Sequence, residues 1–406
     1  MRKPVSIALI VRDPLPPVRA DLLALFGGEM PNHGLGSELV GQAGAGAPAR
    51  WNAGGMHVVG SASSRWASLL SPCWDLLGLL RARRRARFAA IQVRDKIASA
   101  VVARAAAALL GVPFIYWMSF PIVEGYEARR DDFKRRGMRL AWPLHALRAA
   151  AARRTLYRLV LPGARHVFVQ SDAMAAWLAA KGVERGRMTA VPMGVDTDAF
   201  ERQRIAPCAD PRLAGRRVVL YLGRVARSRQ SGFLLELAAL LRRQEPEALL
   251  VIAGDAPSRE EMAWMRGEIA RLGLGAHVLL TGWLPQAEAL GYAVRAEVGL
   301  SPIPRGTLFD VSSPTKLVEY LALGIPCVAN DIPDQAQVLA ASGAGLCAPL
   351  AAQDFAAAVR RLLHEPGLAA RCAARGPAWV RANRSYATLG RDVAATYARL
   401  LDIGEA

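Results

Sequence analysis

The stretch DVSSPTKLVEYLALGIPCVAND (Asp310–Asp331) reads as a loop, a helix and a buried strand in succession. Ser313 suits a helix N-cap and Pro314 the first helical position; KLVEYLALG carries the helix and Gly324 closes it. PCVAN follows as a short apolar strand. A helix delivered straight into a fully apolar strand is the repeat of a parallel sheet covered on both faces. Working outward, the same repeat recurs in VVLYLG (Val218–Gly223), ALLVIAG (Ala248–Gly254), HVLLTGW (His277–Trp283), EVGLSPI (Glu297–Ile303) and AGLCA (Ala344–Ala348). Segments of helical period such as GFLLELAALLRRQ separate them, so the second half reads as a doubly wound α/β domain.

The first half repeats the theme with VSIALIV, MHVVGSAS, FAAIQVR, PFIYWMSF and HVFVQSD as strands. The glycines Gly34, Gly36, Gly41, Gly44 and Gly46 read as a loose loop after the first helix. RIAPCADPRLAGRR (Arg204–Arg217) mixes Pro, Gly and charge, and reads as a linker. Two doubly wound Rossmann-like domains joined near residue 210 are therefore expected, with the chemistry in the cleft they face, at the carboxyl ends of strands.

The opening stretch also carries chemistry. Ser313, Thr315 and Lys316 set hydroxyls, an ammonium and free backbone N–H groups around a positive helix end, which suits an anion. Glu319, one turn on, is placed to accept hydrogen bonds from a polyol such as a ribose. The alternative is a capped helix with an i,i+3 Lys–Glu pair. A second element, YLGRVARSRQSGF (Tyr221–Phe233), is a strand, a tight Gly223, and then Arg224 and Arg229, which suit a diphosphate. Its alternative is a solvated loop.

The order YLGR…R, VIAGDAP, TGWLP and SSPTKLVEYLALGIPCVA resembles the carboxyl-terminal half of GT-B glycosyltransferases, specifically the retaining glycosyltransferase family 4 (group 1) type. QSDAM (Gln170–Met174) and VPMGVDTDAF (Val191–Phe200) resemble that family's closing amino-domain segments. The likeness covers about residues 165–400; residues 1–160 match in general pattern only. It implies an acceptor-side domain over 1–205, a nucleotide-sugar domain over 206–385, and a C-terminal helix, 386–406, crossing back to the first. It implies no cofactor beyond a nucleotide-sugar co-substrate of the UDP or GDP type. By match, Arg224 and Arg229 hold the donor diphosphate, Glu319 binds the ribose, and the N–H groups of Thr315, Lys316 and Leu317 approach the phosphates. Gly254–Asp255 and Gly282–Pro285 fall where ribose and base pack.

The chain departs from the family pattern twice. The first glutamate of the E-x7-E motif falls at Val311, with Asp310 the adjacent acid and candidate substitute. The family's His near Trp117 is missing, and Ser119 and Glu124 stand as acceptor-side candidates. Asp172 reads as a helix cap. The resemblance implies retention by front-face attack, the leaving diphosphate being stabilised electrostatically without a metal. The second half has no Asp-x-Asp cluster, in keeping with that mechanism.

Composition closes off other classes. The 406 residues are 52% hydrophobic and 21% charged, ordinary globular usage. The five cysteines form no CxxC pair, the six histidines show no ligand spacing, and a reducing compartment fits. The net charge of +18 is uneven: residues 1–205 hold 30 Lys+Arg against 15 Asp+Glu, and 78–165 alone hold 19 against 5. RARRRAR (Arg81–Arg87) and RRDDFKRRGMR (Arg129–Arg139) lie there. A field so placed suits an anionic membrane surface and a glycan or lipid-linked acceptor in polysaccharide synthesis. Trp142 and Leu144 are the expected interfacial anchors. The apolar core of MRKPVSIALIVRD, about seven residues, is short for a signal peptide, so a cytoplasmic enzyme peripheral to the inner face of the membrane is expected. A nucleic-acid-binding protein would interleave aromatics with the basic residues or show a known signature; neither is present. A GT-B sugar-nucleotide 2-epimerase would need cleft histidines that the spacing does not supply.

Overall fold

The computed structural model describes residues 5–44, 50–64, 66–138 and 141–402. It divides into two compact units, one holding the chain up to Pro192 together with the segment from Tyr386 onward, the other Met193–Ser385. The first unit's sheet has seven strands: β1 (Val5–Ile10), β2 (Leu35–Ala43), β3 (Met56–Ser61), β4 (Phe88–Arg94), β5 (Phe114–Met118), β6 (His166–Val169) and β7 (Met188–Ala190). They are parallel, in the order β3-β2-β1-β4-β5-β6-β7. β5 and β6 are buried along their whole length, and all but His166 of their residues are aromatic or aliphatic. One face packs Ile7, Leu9, Phe26, Trp117 and Phe168 against Tyr386, Leu389, Val393 and Tyr397 of the helix Tyr386–Leu400. The Tyr397 hydroxyl donates to Gln92 Oε1 beneath it.

The expected glycine loop is a correction. Gly36 and Gly41 lie inside β2, with Gly34 and Gly44 at its ends; Gly46 lies outside the described residues. Crowding explains them: a Cβ on Gly36 would sit 2.9 Å from the Ala53 carbonyl oxygen, and one on Gly41 3.1 Å from Leu15.

The second unit has six parallel strands, β8 (Arg217–Leu222), β9 (Ala248–Ala253), β10 (Val278–Gly282), β11 (Val298–Ser301), β12 (Cys327–Asn330) and β13 (Gly345–Ala348). Their order is β10-β9-β8-β11-β12-β13, with an apolar core on each face. The stretch Arg204–Arg217, expected as the linker, lies inside this unit, where Leu213 is fully buried and the Cys208 N–H donates to the Gly291 carbonyl at 2.9 Å. Strand order reverses between β8 and β11. In a doubly wound sheet the carboxyl ends of those two strands flank a natural ligand crevice.

Candidate functional site

Two loops open at that reversal. The loop after β8 runs from Gly223 to Ser231, and the one after β11 leads into the helix Thr315–Ala322. They meet over Tyr221. Its hydroxyl donates to the Arg224 carbonyl at 3.2 Å, and the Lys316 Nζ stands 5.1 Å from its ring centroid. Arg229 lines a crevice with Tyr221, Pro302 and Pro304. Arg224 and Arg229 are exposed, and no carboxylate pairs with them or with Lys316 among the described residues. Arg227, between them in sequence, is otherwise engaged: it lies 3.7 Å from Glu261 and 4.7 Å over the Trp264 ring. Three cations without an ion-pair partner among the described residues, at the carboxyl ends of adjacent strands, are suited to hold a polyanion.

The adjoining strand ends carry no side chains. Gly223, Gly254 and Gly282 close β8, β9 and β10, at φ of 146°, 158° and 76°. A Cβ on Gly254 would fall 2.0 Å from the Gly223 carbonyl oxygen, so only glycine allows these backbones to approach. The Gly223 side of the loop closes on Lys316, whose Cε is 3.4 Å from where a Gly223 Cβ would be.

The helix start differs from the capped reading. Pro314 takes the cap position, Thr315 is the first helical residue, and no side chain caps the end. The leading N–H groups are therefore left for another acceptor. Ser313 is turned away: its Oγ donates to Asp334 Oδ2 at 2.9 Å and accepts from the Met193 N–H at 3.0 Å and from Arg384 at 3.2 Å. Its expected donor contact is replaced by this buried network. Leu317 is buried, while Thr315 and Lys316 are half-buried. Glu319 is half-buried and makes no ion pair with Lys316, so the alternative of an i,i+3 pair does not hold. Burial pushes its carboxyl up to about 7, with Lys316 acting in the opposite direction.

The remaining candidates are engaged elsewhere. Asp310 accepts from Arg305 at 2.9 Å and from the Gly306 N–H at 3.3 Å, and Val311 is buried. In the first unit the Ser119 N–H donates to Asp95 at 2.9 Å, as does its hydroxyl. Glu124 accepts from the Tyr157 hydroxyl at 3.0 Å, with Lys181 at 3.5 Å. Asp172 is no cap; Ser171 accepts from the Met174 N–H, and Asp172 pairs with Arg185 at 3.0 Å. Among the described residues no three His, Cys, Asp or Glu side chains come together in a metal-binding group.

Residues 25–194 match the family model "Glycosyl transferase 4-like domain", and residues 210–379 match "Glycosyl transferases group 1". The chain belongs to the group 1 glycosyl transferases. It is 29% identical over 186 residues to alpha-D-kanosaminyltransferase of Streptomyces kanamyceticus, 46% of each chain. It is 32% identical over 190 residues to phosphatidyl-myo-inositol mannosyltransferase of Mycolicibacterium smegmatis, 46% of this chain and 45% of that one. The matches thus span about half the length of these curated relatives. Anabaena HepE in complex with UDP and glucose has the same fold, with a TM-score of 0.71 at 14% identity over 97% of this chain and 100% of that one. This is the GT-B architecture of two parallel-sheet α/β domains.

Within this group 1 chain, sequence reasoning missed two features. Tyr221, the meeting point of both loops, is hidden in an apolar strand; only its position one residue before Leu-Gly-Arg marks it. Arg94 and Asp95 form the other. Arg94 is fully buried against Asp21, and Asp95 stands at φ 54° with its carboxyl raised by burial. The charged pair closing an apolar strand was the available signal.

Proposed function

We propose that the protein transfers a sugar, with retention, from a UDP- or GDP-sugar to an acceptor hydroxyl in polysaccharide or lipid-linked glycan synthesis. The observation that carries this reading is the set of unpaired cations, Arg224, Arg229 and Lys316, beside the uncapped helix end at Thr315. The UDP in the Anabaena HepE complex and the lipid named in the mycobacterial relative's activity support the donor and acceptor classes. The acceptor oxygen bonds to the anomeric carbon as the carbon–phosphate oxygen bond breaks, and the hydroxyl proton passes to the leaving diphosphate. Arg224, Arg229, Lys316 and the helix N–H groups offset the charge that develops there, with no metal in the step. Proton NMR of the first-formed product tests retention: the donor's anomeric configuration is expected, and the opposite anomer overturns this mechanism. Turnover is expected to be unchanged in excess EDTA.

In this reading Glu319 accepts from the ribose hydroxyls as the ionised carboxylate. With its carboxyl at about 7, nucleotide affinity rises by up to about tenfold between pH 6 and pH 8, and Glu319→Gln removes that dependence in titration calorimetry. The free protein responds in the opposite sense. A carboxyl raised in the fold contributes stability that is full below its ordinary value of 4.5 and is lost as pH rises through about 7.

The positive charge concentrated in residues 1–205 supports peripheral association with an anionic membrane from the cytoplasmic side. Among the described residues no helix is long and apolar enough to cross a membrane.

A further inference from the structure

The helix Ala67–Arg85 is turned inside out. Its inner face carries the polar Asp75 and the small Gly78 and Ala82, with Leu79 its one buried leucine. Asp75 is buried there and accepts from Gln42 at 2.7 Å, Lys96 at 2.5 Å and Ser99 at 2.5 Å. Gly78 sits so close to the sheet that a Cβ would fall 2.4 Å from Val40 Cγ1, and Leu79 and Ala82 complete the contact. The outer face holds the leucines. Leu69, Leu70, Leu76, Leu77 and Leu80 are 38–68% exposed, with Cys73 exposed among them. Positions 69, 73, 76 and 80 follow the helical period, so they form one straight stripe. An amphipathic helix on a globular unit normally points its apolar stripe inward. Here the buried Asp75 network fixes the opposite orientation.

The same outer face ends in charge. Arg81 and Arg84 continue the stripe one turn beyond Leu77 and Leu80, Arg83, Arg85 and Arg87 flank them, and no acidic residue occurs from Leu76 to Val93. Arg81, Arg84 and Arg87 are exposed and make no ion pair among the described residues. From Leu69 to Leu80 the stripe is about 17 Å long. An apolar stripe continuous with a cationic end complements an anionic lipid layer, whose acyl boundary and headgroup phosphates present both chemistries in one plane. A second copy of the chain would bring a second arginine cluster.

We propose that this outer face is the membrane-docking surface, with Leu69, Leu76 and Leu80 entering the headgroup–acyl boundary and Arg81, Arg84 and Arg87 meeting lipid phosphates. The inference rests on the peripheral-membrane reading and moves the anchor from the helix Trp142–Thr155 to Ala67–Arg85. Flotation of the full chain with vesicles of equal parts phosphatidylcholine and phosphatidylglycerol, at low salt, tests it. The triple variant Leu69→Gln/Leu76→Gln/Leu80→Gln is expected to lose at least about tenfold in bound fraction relative to free. It should keep the wild-type Tm, because its side chains already face solvent. Arg81→Glu/Arg84→Glu is expected to lose as much, and Leu144→Gln/Leu147→Gln to bind like wild type. If the triple variant binds fully while the Leu144/Leu147 variant is lost, the docking surface is overturned and the membrane reading stands. Absence of wild-type binding overturns both. A wild-type dimer that the triple variant converts to monomer, seen by light scattering, assigns the face to a second copy and also overturns the inference.

Discussion

Arg229→Ala is expected to lower turnover by about 10²–10³-fold while leaving Tm unchanged. The side chain is exposed and pairs with no carboxylate among the described residues, so its removal takes nothing from the fold. In the proposed mechanism its charge acts when a diphosphate fills the crevice beside Tyr221, and most strongly as the leaving group gains charge. The loss should therefore fall mainly on kcat. Arg227→Ala is the control from the same loop. Its guanidinium is engaged with Glu261 and Trp264, and turnover should change by less than about threefold. Equal losses in the two variants would mean that the loop contributes bulk positive potential rather than one placed group.

The largest expected effect on stability comes from Arg384→Ala. Arg384 and Asp334 pair at 2.7 Å with side chains only 9% and 5% exposed, and both reach the Ser313 hydroxyl. Through Ser313 and the Met193 N–H this network fixes the approach to the helix that begins at Thr315. Removing the guanidinium leaves Asp334 buried without its cation, at a cost of about 3–5 kcal/mol. Urea unfolding of the transition belonging to the second unit should show that loss. Ser313→Ala should cost about 1–3 kcal/mol by the same measurement. It should leave nucleotide affinity within about threefold, because the hydroxyl faces Asp334 and not the candidate site. A much larger loss of affinity would return Ser313 to the donor contacts.

Both parallel sheets were legible wherever strands are apolar throughout, since burial on two faces writes itself as an unbroken run. β2 was hidden because Gly36 and Gly41 read as loop residues; they stand where Ala53 and Leu15 approach the strand closely. The helix Ala67–Arg85 turns Leu69, Leu76 and Leu80 outward, so its leucines do not mark a face toward the core. Gly223, Arg224, Arg229, Lys316 and Glu319, the residues of the proposed donor site, stand beside strand ends in short loops and one helix turn, where local sequence is enough to propose them. Ser313 was misread for a different reason. Its partners, Asp334 and Arg384, lie 21 and 71 residues away, and local capping preference carries no information about them. Asp310 differs, being engaged locally: Arg305 reaches it within its own loop, and Asp331 holds the other side of the same guanidinium.

Hydrogen exchange read by mass spectrometry, with and without saturating UDP or GDP, tests the central claim most directly. One of the two nucleotides is expected to protect the backbone amides of Thr315–Leu317, a helix start that no side chain caps, and to slow exchange in Gly223–Ser231, the loop that carries Arg224 and Arg229. The same nucleotide should give no such protection in the Arg224→Ala/Arg229→Ala variant. Protection confined to other segments, or unchanged exchange in these two with both nucleotides, would contradict a donor site at the reversal between β8 and β11.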